Sequence, residues 1–313
     1  MRHFVTIFNY SYLPFGISLY LSMERNINDF TLWVICVDKD TYNSLDKLSL
    51  TKCNLVMIDE IENKDLLEVK SKRTIGEYCW TMTPFLPEHI FKKDNSISEV
   101  TYLDADLWFR KNPEEIFDEF NSSSKKVLIT DHGYAPEYDS SAISGQFCVQ
   151  FMIFKRNGCE EVLKWWKMKC LEWCYSYYDK GRFGDQKYLD TWPVIFKNTV
   201  HVLSKFYLAM APWNASVYPY GNSIFWHFHG LKILSIYPKI KIYVGPYYIP
   251  SPTIENIYYK YIEDLRLSVN MIKSINGKIQ LDKSINSFQS IKGFIKTIFR
   301  VLKYFNSKKI TEK

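Results

Sequence analysis

The first sixty residues alternate between short apolar runs and a helix-like segment, and this alternation limits the possible folds more than any other feature. Residues 3–9, 31–37 and 54–58 read as β-strands that each end near a polar residue, and residues 16–23 carry apolar side chains at helical spacing. Such alternation predicts a mainly parallel sheet with crossover helices. Functional residues of such sheets gather at the carboxyl ends of the strands. We therefore expect an α/β protein with its site at that edge.

A fourth apolar run ends in two carboxylates. Residues 100–109 read Val-Thr-Tyr-Leu-Asp-Ala-Asp-Leu-Trp-Phe, which places Asp104 and Asp106 two positions apart. In an extended segment, side chains two positions apart point the same way, so these carboxylates would share a face and repel each other. A hard divalent cation is the simplest group that makes the arrangement favourable. The alternative is a solvated pair of acids.

The remaining segments extend the same α/β pattern. Residues 73–91 read as a helix that Pro84 and Pro87 bend or interrupt, and Asn112 and Pro113 fit the N-cap and first position of another helix. The further predicted elements are strands at 127–130 and 147–155, an aromatic helix at 159–178 and site-building loops at 181–230.

Composition and charge favour a globular protein and argue against a nucleic-acid binder. The chain has 313 residues, of which 47% are hydrophobic, so it can bury a large core. We find no apolar run of membrane-spanning length and no signal peptide, and the seven scattered cysteines predict reduced thiols in a cytosolic protein. The net charge of +6 equals the basic excess of residues 289–313, which hold seven basic residues and one acid. The balanced body argues against a nucleic-acid binder.

Two further stretches carry candidate chemistry. His227 and His229 alternate on one face of an extended segment, so either could be a metal ligand, and imidazole with two carboxylates suits Mn²⁺ better than Mg²⁺. Buried structural histidines are the alternative. Gly184 precedes Asp185 and Gln186, and a glycine there lets the backbone turn tightly and present both side chains. The alternative for Asp185 is an N-cap of the following helix.

Together these motifs resemble those of GT-A-fold glycosyltransferases, most nearly the retaining enzymes of glycosyltransferase family 8. Four motifs match in the family's order: Asn9-Tyr10-Ser11-Tyr12, Asp104-Ala105-Asp106, Gly184-Asp185-Gln186 and His227-Phe228-His229-Gly230. The resemblance covers about residues 3–235. It implies a Rossmann-like, mixed and mainly parallel sheet flanked by helices in a catalytic domain at 1–235. A C-terminal extension at 236–288 and a basic amphipathic tail at 289–313 would follow.

The resemblance also implies a role for each matching residue. Asn9 and Tyr12 would hold the uridine, with Tyr12 stacked on the base. Asp104, Asp106 and His227 would bind Mn²⁺ or Mg²⁺, with His229 as the alternative to His227. Contacts to the donor are expected from Arg73, Asp104, Gly230 and Lys232. Asp185 and Gln186 would position the reacting sugar and the acceptor as the catalytic pair.

In two places the chain departs from the family pattern. Lys232 falls one residue earlier than the family's lysine, and the family's Asn-Ser-Gly run reads Cys148-Val149-Gln150.

The function implied by the resemblance is metal-dependent transfer of a hexose from a nucleotide-diphosphate donor, a UDP-sugar, with retention. The acceptor would be a glycan or a lipid-linked glycan in cell-surface polysaccharide or lipopolysaccharide synthesis. Trp213 and Asn214 are candidate acceptor-binding residues, and the alternative places them in the core and in a turn.

The basic tail suggests where such an enzyme works. Its apolar residues fall on one stripe at helical spacing, and lysines and an arginine occupy the flank and the opposite face. We expect an interfacial helix on an anionic membrane, which would make the protein cytoplasmic and peripheral on the inner face of the plasma membrane. The alternative is a helix packed on the body.

Other functions fit fewer of these features. A haloacid dehalogenase-type phosphatase also uses Asp-x-Asp, but on its first strand. A nucleotidyltransferase would need a glycine-rich basic loop after the first strand. A carbohydrate-binding protein without catalysis would explain the many aromatic residues but not the order of the four motifs.

Overall fold

The computed structural model describes residues 1–218, 221 and 223–281. The strands are β1 (Arg2–Phe8), β2 (Phe30–Cys36), β3 (Cys53–Met57), β4 (Glu99–Leu103), β5 (Leu107–Phe109), β6 (Val127–Asp131), β7 (Phe147–Lys155), β8 (Val200–Val202), β9 (Ala209–Met210), β10 (Phe225–His227), β11 (Lys232–Ser235) and β12 (Lys241–Tyr243). The α-helices are α1 (Leu13–Asn26), α2 (Lys39–Leu48), α3 (Lys64–Lys70), α4 (Ile75–Met82), α5 (Leu86–Lys93), α6 (Glu114–Ser122), α7 (Ser141–Ser144), α8 (Glu160–Glu172), α9 (Trp192–Ile195), α10 (Ser251–Thr253) and α11 (Tyr259–Ser274). Short 3₁₀ turns occupy Tyr10–Tyr12, Ile58–Glu60, Thr83–Phe85, Pro136–Tyr138, Lys187–Thr191, Phe206–Leu208 and Pro212–Asn214, and a π-helical turn at Ile254–Tyr258 joins α10 to α11.

A large mixed sheet forms the centre of the molecule. Within the described ranges it has seven strands in the order β3-β2-β1-β4-β7-β6-β8. The pairs β3–β2, β2–β1, β1–β4 and β6–β8 are parallel, and β7 runs antiparallel to both of its neighbours. The sheet is therefore mainly parallel, as predicted, and the carboxyl ends of β1, β2 and β4 lie at one edge.

Helices cover both faces of this sheet. The residues of β1 alternate between the two cores, with Phe4 facing one and Val5 the other, and both are fully buried. Apolar residues of α4, α5 and α8 complete the first core, and those of α1, α2 and α6 complete the second. Burial on both faces explains why the strands read as nearly continuous apolar runs.

Most predicted elements are found with small shifts at their ends. The predicted strand at 147–155 matches β7, and the first three strands are each displaced by one residue. The predicted helix at 73–91 is two helices, because the turn Thr83–Phe85 interrupts it at Pro84. The aromatic helix is shorter than the prediction of 159–178 and ends at Glu172. Pro113 is the N-cap of α6, one position later than predicted.

The C-terminal elements pack on the main domain. Ser268 on α11 shares a hydrogen bond of 2.8 Å with Ser18 on α1, and Asp264 accepts from Trp108 Nε1 at 2.6 Å and pairs with Arg25. The predicted boundary at 235 falls between the paired strands β11 and β12. In the described part of the chain, no helix is long and apolar enough to cross a membrane. The predicted tail at 289–313 lies outside the described residues.

Candidate metal centre

The two acidic residues lie in a turn that follows β4. β4 ends at Leu103, and the amide of Leu107 donates to the carbonyl of Asp104 at 3.3 Å. The predicted extended geometry for this pair was therefore wrong. The turn itself brings Asp104 and Asp106 together at the edge of the sheet, since β4 is a central strand whose carboxyl end opens there.

Strand pairing brings a histidine to these carboxylates from far along the chain. β5 and β10 pair antiparallel, with Leu107 opposite His227. The amide of Phe228 also donates to the carbonyl of Asp106 at 2.9 Å. His227 is thereby held next to the Asp-x-Asp turn by backbone hydrogen bonds.

The three side chains converge on one point. His227 Nε2 lies 3.2 Å from Asp106 Oδ1 and 3.7 Å from Asp104 Oδ2. One ligand atom from each residue lies within 4.8 Å of the others. Two carboxylates and an imidazole suit a divalent cation such as Mn²⁺, so this group could hold one. His229, the alternative third ligand, is exposed, and its Nδ1 lies 3.0 Å from the Tyr247 hydroxyl.

The electrostatics fit a cation as well. Burial raises the pKa of Asp104 to about 6, helped by the charge of Asp106 and opposed by His227 and by the Tyr102 hydroxyl, which donates at 2.9 Å. Burial lowers the pKa of His227, but the charge and the hydrogen bond of Asp106 raise it by more. The pKa of the imidazole therefore lies well above its usual value. The site therefore carries a carboxylate that is costly to ionise without added positive charge.

Asp185 is a buried carboxylic acid close to the half-buried pair Asp104 and Asp106. Asp185 is 4% exposed, and its Oδ2 has no hydrogen-bond partner among the described residues. Burial first and the charge of Asp104 second raise its pKa well above the usual value. Gly184 before it has a φ of +53°, the left-handed turn predicted for this glycine. The following turn has Gln186 at its N-cap, so the N-cap interpretation of Asp185 was wrong.

Gln186 itself points toward the C-terminal end of α7. Its Nε2 donates to the carbonyl of Ser144 at 2.7 Å. The catalytic role of Asp185 and Gln186 stays a prediction.

The predicted nucleotide end lies next to the carboxylates. The side chain of Tyr12 is 45% exposed, and burial, followed by the charges of Asp106 and Asp104, raises the pKa of its hydroxyl. Asn9 follows β1 and accepts from the Ser11 hydroxyl at 2.7 Å. A flat, partly exposed ring beside a candidate cation site is suitable for stacking on a base.

Arg73 is held by the helices behind the site. It donates to the Leu171 carbonyl at 2.9 Å and to the Thr81 hydroxyl, and it lies over the Tyr175 ring. These contacts do not include the three clustered side chains, and its predicted role in donor binding stays a prediction.

The candidate acceptor residues differ in position. The Trp213 ring is 5.4 Å from those of both His227 and His229, centroid to centroid, so it packs against the cluster. Asn214 is fully buried, accepts from the Ala211 amide and donates to the His132 carbonyl. These contacts fit the alternative interpretation, in which Asn214 is a structural residue of a turn.

The two remaining donor candidates follow β10. Gly230 has a φ of +73° in the turn after His229, and Lys232 begins β11. Both therefore follow the cluster closely along the chain.

Sequence reasoning missed Gln150 and Tyr102. Each hydrogen-bonds a clustered side chain: Gln150 Oε1 lies 2.8 Å from His227 Nδ1, and the Tyr102 hydroxyl binds Asp104. The available signal was a lone glutamine within the otherwise apolar run of β7.

Comparisons with known proteins give relatives and a fold. No protein-family model matches the chain. The protein YfnF of Bacillus subtilis (strain 168) is 30% identical over 253 residues, covering 74% of this chain and 82% of YfnF. YfnD of the same organism is 30% identical over 289 residues, covering 87% of this chain and 91% of YfnD. Both are uncharacterised proteins.

Solved structures of low sequence identity share the fold. Mouse xyloside xylosyltransferase 1 gives a TM-score of 0.50 at 15% identity, covering 73% of this chain and 98% of the mouse chain. Galactosyltransferase LgtC, solved with donor and acceptor sugar analogues, gives 0.50 at 12% identity, covering 85% and 96%. The predicted GT-A fold is thereby confirmed, since both neighbours are GT-A glycosyltransferases.

Proposed function

The chain belongs to the same family as the uncharacterised proteins YfnF and YfnD of Bacillus subtilis, and we propose that it is a metal-dependent glycosyltransferase that uses a UDP-sugar. The observation that carries this proposal is the convergence of Asp104, Asp106 and His227 at the carboxyl edge of a GT-A sheet. The LgtC neighbour, a galactosyltransferase solved with donor and acceptor sugar analogues, supports the same reaction class.

The side chains at this edge divide into a nucleotide end and a sugar end. Tyr12 offers its exposed ring to the base, and Asn9 offers polar contacts beside it. A divalent cation bound by Asp104, Asp106 and His227 would supply positive charge against the charge that develops on the leaving nucleoside diphosphate.

At the sugar end, buried polar groups would orient the reacting carbon. Asp185 has a carboxylate oxygen without a hydrogen-bond partner within the described structure, and a sugar hydroxyl can donate to it. If the positive charge of a bound cation kept Asp185 ionised, its carboxylate would also stabilise the positive charge of an oxocarbenium-like transition state. Membership of glycosyltransferase family 8 and retention of configuration are part of the proposal and rest on the four sequence motifs.

The acceptor and the cellular place follow from the sequence alone. We propose a glycan or lipid-linked glycan in surface-polysaccharide synthesis, and a cytoplasmic enzyme attached by residues 289–313 to the anionic inner face of the plasma membrane. A chain that ends at residue 288 is expected to lose binding to anionic vesicles that the full chain binds. Equal binding of both chains would contradict this attachment.

The test of the main proposal combines binding and chemistry. A thermal-shift panel of nucleotides and UDP-sugars with Mn²⁺ identifies the donor, and slow hydrolysis of that donor then reports turnover. We expect Asp106→Ala to lower Mn²⁺-dependent turnover by about 10³-fold or more with an unchanged melting temperature, because a bound metal contributes several kcal/mol. Asp46→Ala, at an exposed position on α2, is the matched control.

The same experiment separates the alternatives. Full turnover in metal-free buffer or in Asp106→Ala would refute the metal-dependent mechanism. Sugar binding without any turnover would favour a carbohydrate-binding protein. Release of phosphate from a generic phosphomonoester would favour the phosphatase, although its motif is expected on the first strand and here follows β4.

A further inference from the structure

Gln150 occupies an unusual place in the sheet. It lies in the middle of β7, in a strand that is otherwise almost entirely apolar, and it is fully buried. A buried primary amide is unfavourable unless its polar atoms are hydrogen-bonded. Its Nε2 has no hydrogen-bond partner in the part of the chain that the structure describes. Its Oε1 does have one, His227 Nδ1.

Gln150 holds two parts of the candidate metal centre at once. Its backbone carbonyl accepts from the Asp104 amide at 3.0 Å, which fixes the start of the Asp-x-Asp turn. Its side-chain Oε1 lies 2.8 Å from His227 Nδ1. The other ring nitrogen, Nε2, faces Asp106 at 3.2 Å. One residue thus contacts both sequence segments that supply the ligands.

The direction of this hydrogen bond matters for metal binding. An amide oxygen accepts, so Nδ1 carries the proton that it donates to Gln150. Loss of the second proton, from Nε2, would then give a neutral imidazole with a free lone pair on Nε2, which is the form in which histidine binds a metal. An amide turned the other way would donate to Nδ1 and leave the proton on Nε2, between the ring and the carboxylates. The acceptor orientation therefore suits the cluster.

We propose that Gln150 is a positioning residue that sets the tautomer and ring orientation of His227 for the cation. The inference rests on the proposed metal-dependent function, and it assigns a role to a position where the sequence departs from the family 8 pattern. Outer hydrogen-bond partners of metal-bound histidines commonly have this effect.

The test compares variants that keep or lose the acceptor. Mn²⁺ affinity is measured by titration calorimetry on the full chain, without a sugar donor. We expect Gln150→Met, which has a similar length and no acceptor of comparable strength, to weaken Mn²⁺ binding by about 10- to 100-fold. Gln150→Glu, which keeps an acceptor, should bind close to wild type. Gln146→Met is the matched control, because Gln146 is exposed and its amide binds Asp131.

The outcomes distinguish this inference from the proposed function. Wild-type affinity in a folded Gln150→Met, together with lost affinity in Asp106→Ala, would overturn the role of Gln150 and leave the metal site standing. Equal losses in folded Gln150→Met and Gln150→Glu would also overturn it, because the acceptor would then not matter. Equal Mn²⁺ binding by wild type and Asp106→Ala would instead remove the metal site. If Gln150→Met does not fold, Gln150→Leu takes its place under the same criteria.

Discussion

The two parts of the chain that meet at the candidate metal centre are built differently. Residues 2–155 contribute long buried strands and the helices between them, and they supply Asp104 and Asp106. Residues 156–281 contribute α8, α11 and a run of short strands, 3₁₀ turns and aromatic contacts, and they supply His227. The first part depends on periodic apolar burial, and the second on specific contacts between side chains distant in sequence. Three changes test this difference.

The largest effect is expected in the second part, at Trp213. Trp213→Ala should lower the free energy of unfolding by about 3–5 kcal/mol, because it removes a buried ring that packs on His132, His227 and His229. Trp213→Phe should lower the free energy of unfolding much less. The phenylalanine keeps an aromatic ring in place, and the His132 carbonyl, which loses the indole donor, still accepts from Asn214. Denaturant titration measures both variants, and equal losses would show that the hydrogen bond dominates over packing.

A smaller effect is expected where one carboxylate ties the two parts together. Glu77 on α4 accepts from Thr74 and from the amide and hydroxyl of Ser176. Burial raises the pKa of Glu77, but these hydrogen bonds outweigh it and lower the pKa to about 2. Because the folded pKa is depressed from 4.5, the stabilisation is full above that value and is lost as the pH falls toward 2.

Glu77→Gln should therefore destabilise the protein by about 1–3 kcal/mol at pH 7, and the gap from wild type should shrink below about pH 4.5. Melting temperatures from pH 7 to pH 3 measure the gap, with the exposed Glu68→Gln as control. A gap that does not depend on pH would show that the charge of Glu77 is not what stabilises this contact.

The smallest effect is expected at the nucleotide end of the first part. Tyr12→Ala should weaken binding of UDP with Mn²⁺ by about tenfold, because stacking on a base contributes about 1–3 kcal/mol. Tyr12→Phe keeps the ring and should bind like wild type. Calorimetric titration with UDP gives the comparison, and unchanged affinity in Tyr12→Ala would place the base elsewhere.

The difference between periodic burial in residues 2–155 and long-range contacts in residues 156–281 also decides which features the sequence could predict. Apolar periodicity located β1, β2, β3 and β7 to within one residue, because each is an apolar run, and β1, β2 and β7 are largely buried on both faces whereas β3 is an edge strand. It did not give the order of the strands, or the antiparallel direction of β7, since both depend on contacts between distant segments.

Local patterns failed where long-range contacts set the backbone. The helix predicted to reach residue 178 ends at Glu172, and beyond it the carbonyl of Tyr175 accepts from the Gly184 amide. Asp104 and Asp106 were expected on an extended segment, and they lie in a turn whose shape involves Gln150 and Phe228. The clustered residues were found by their types and order, whereas the partners that orient them were not.

The pairing of β5 with β10 has a consequence for how the protein is made. During synthesis Asp104 and Asp106 leave the ribosome long before His227, so an emerging chain has only two of the three candidate ligands. Cation binding would then strengthen only after β10 has joined β5 and the later part of the chain has been added. Metal affinity would therefore report that β10 has joined β5, and a product truncated before β10 would lack the third candidate ligand.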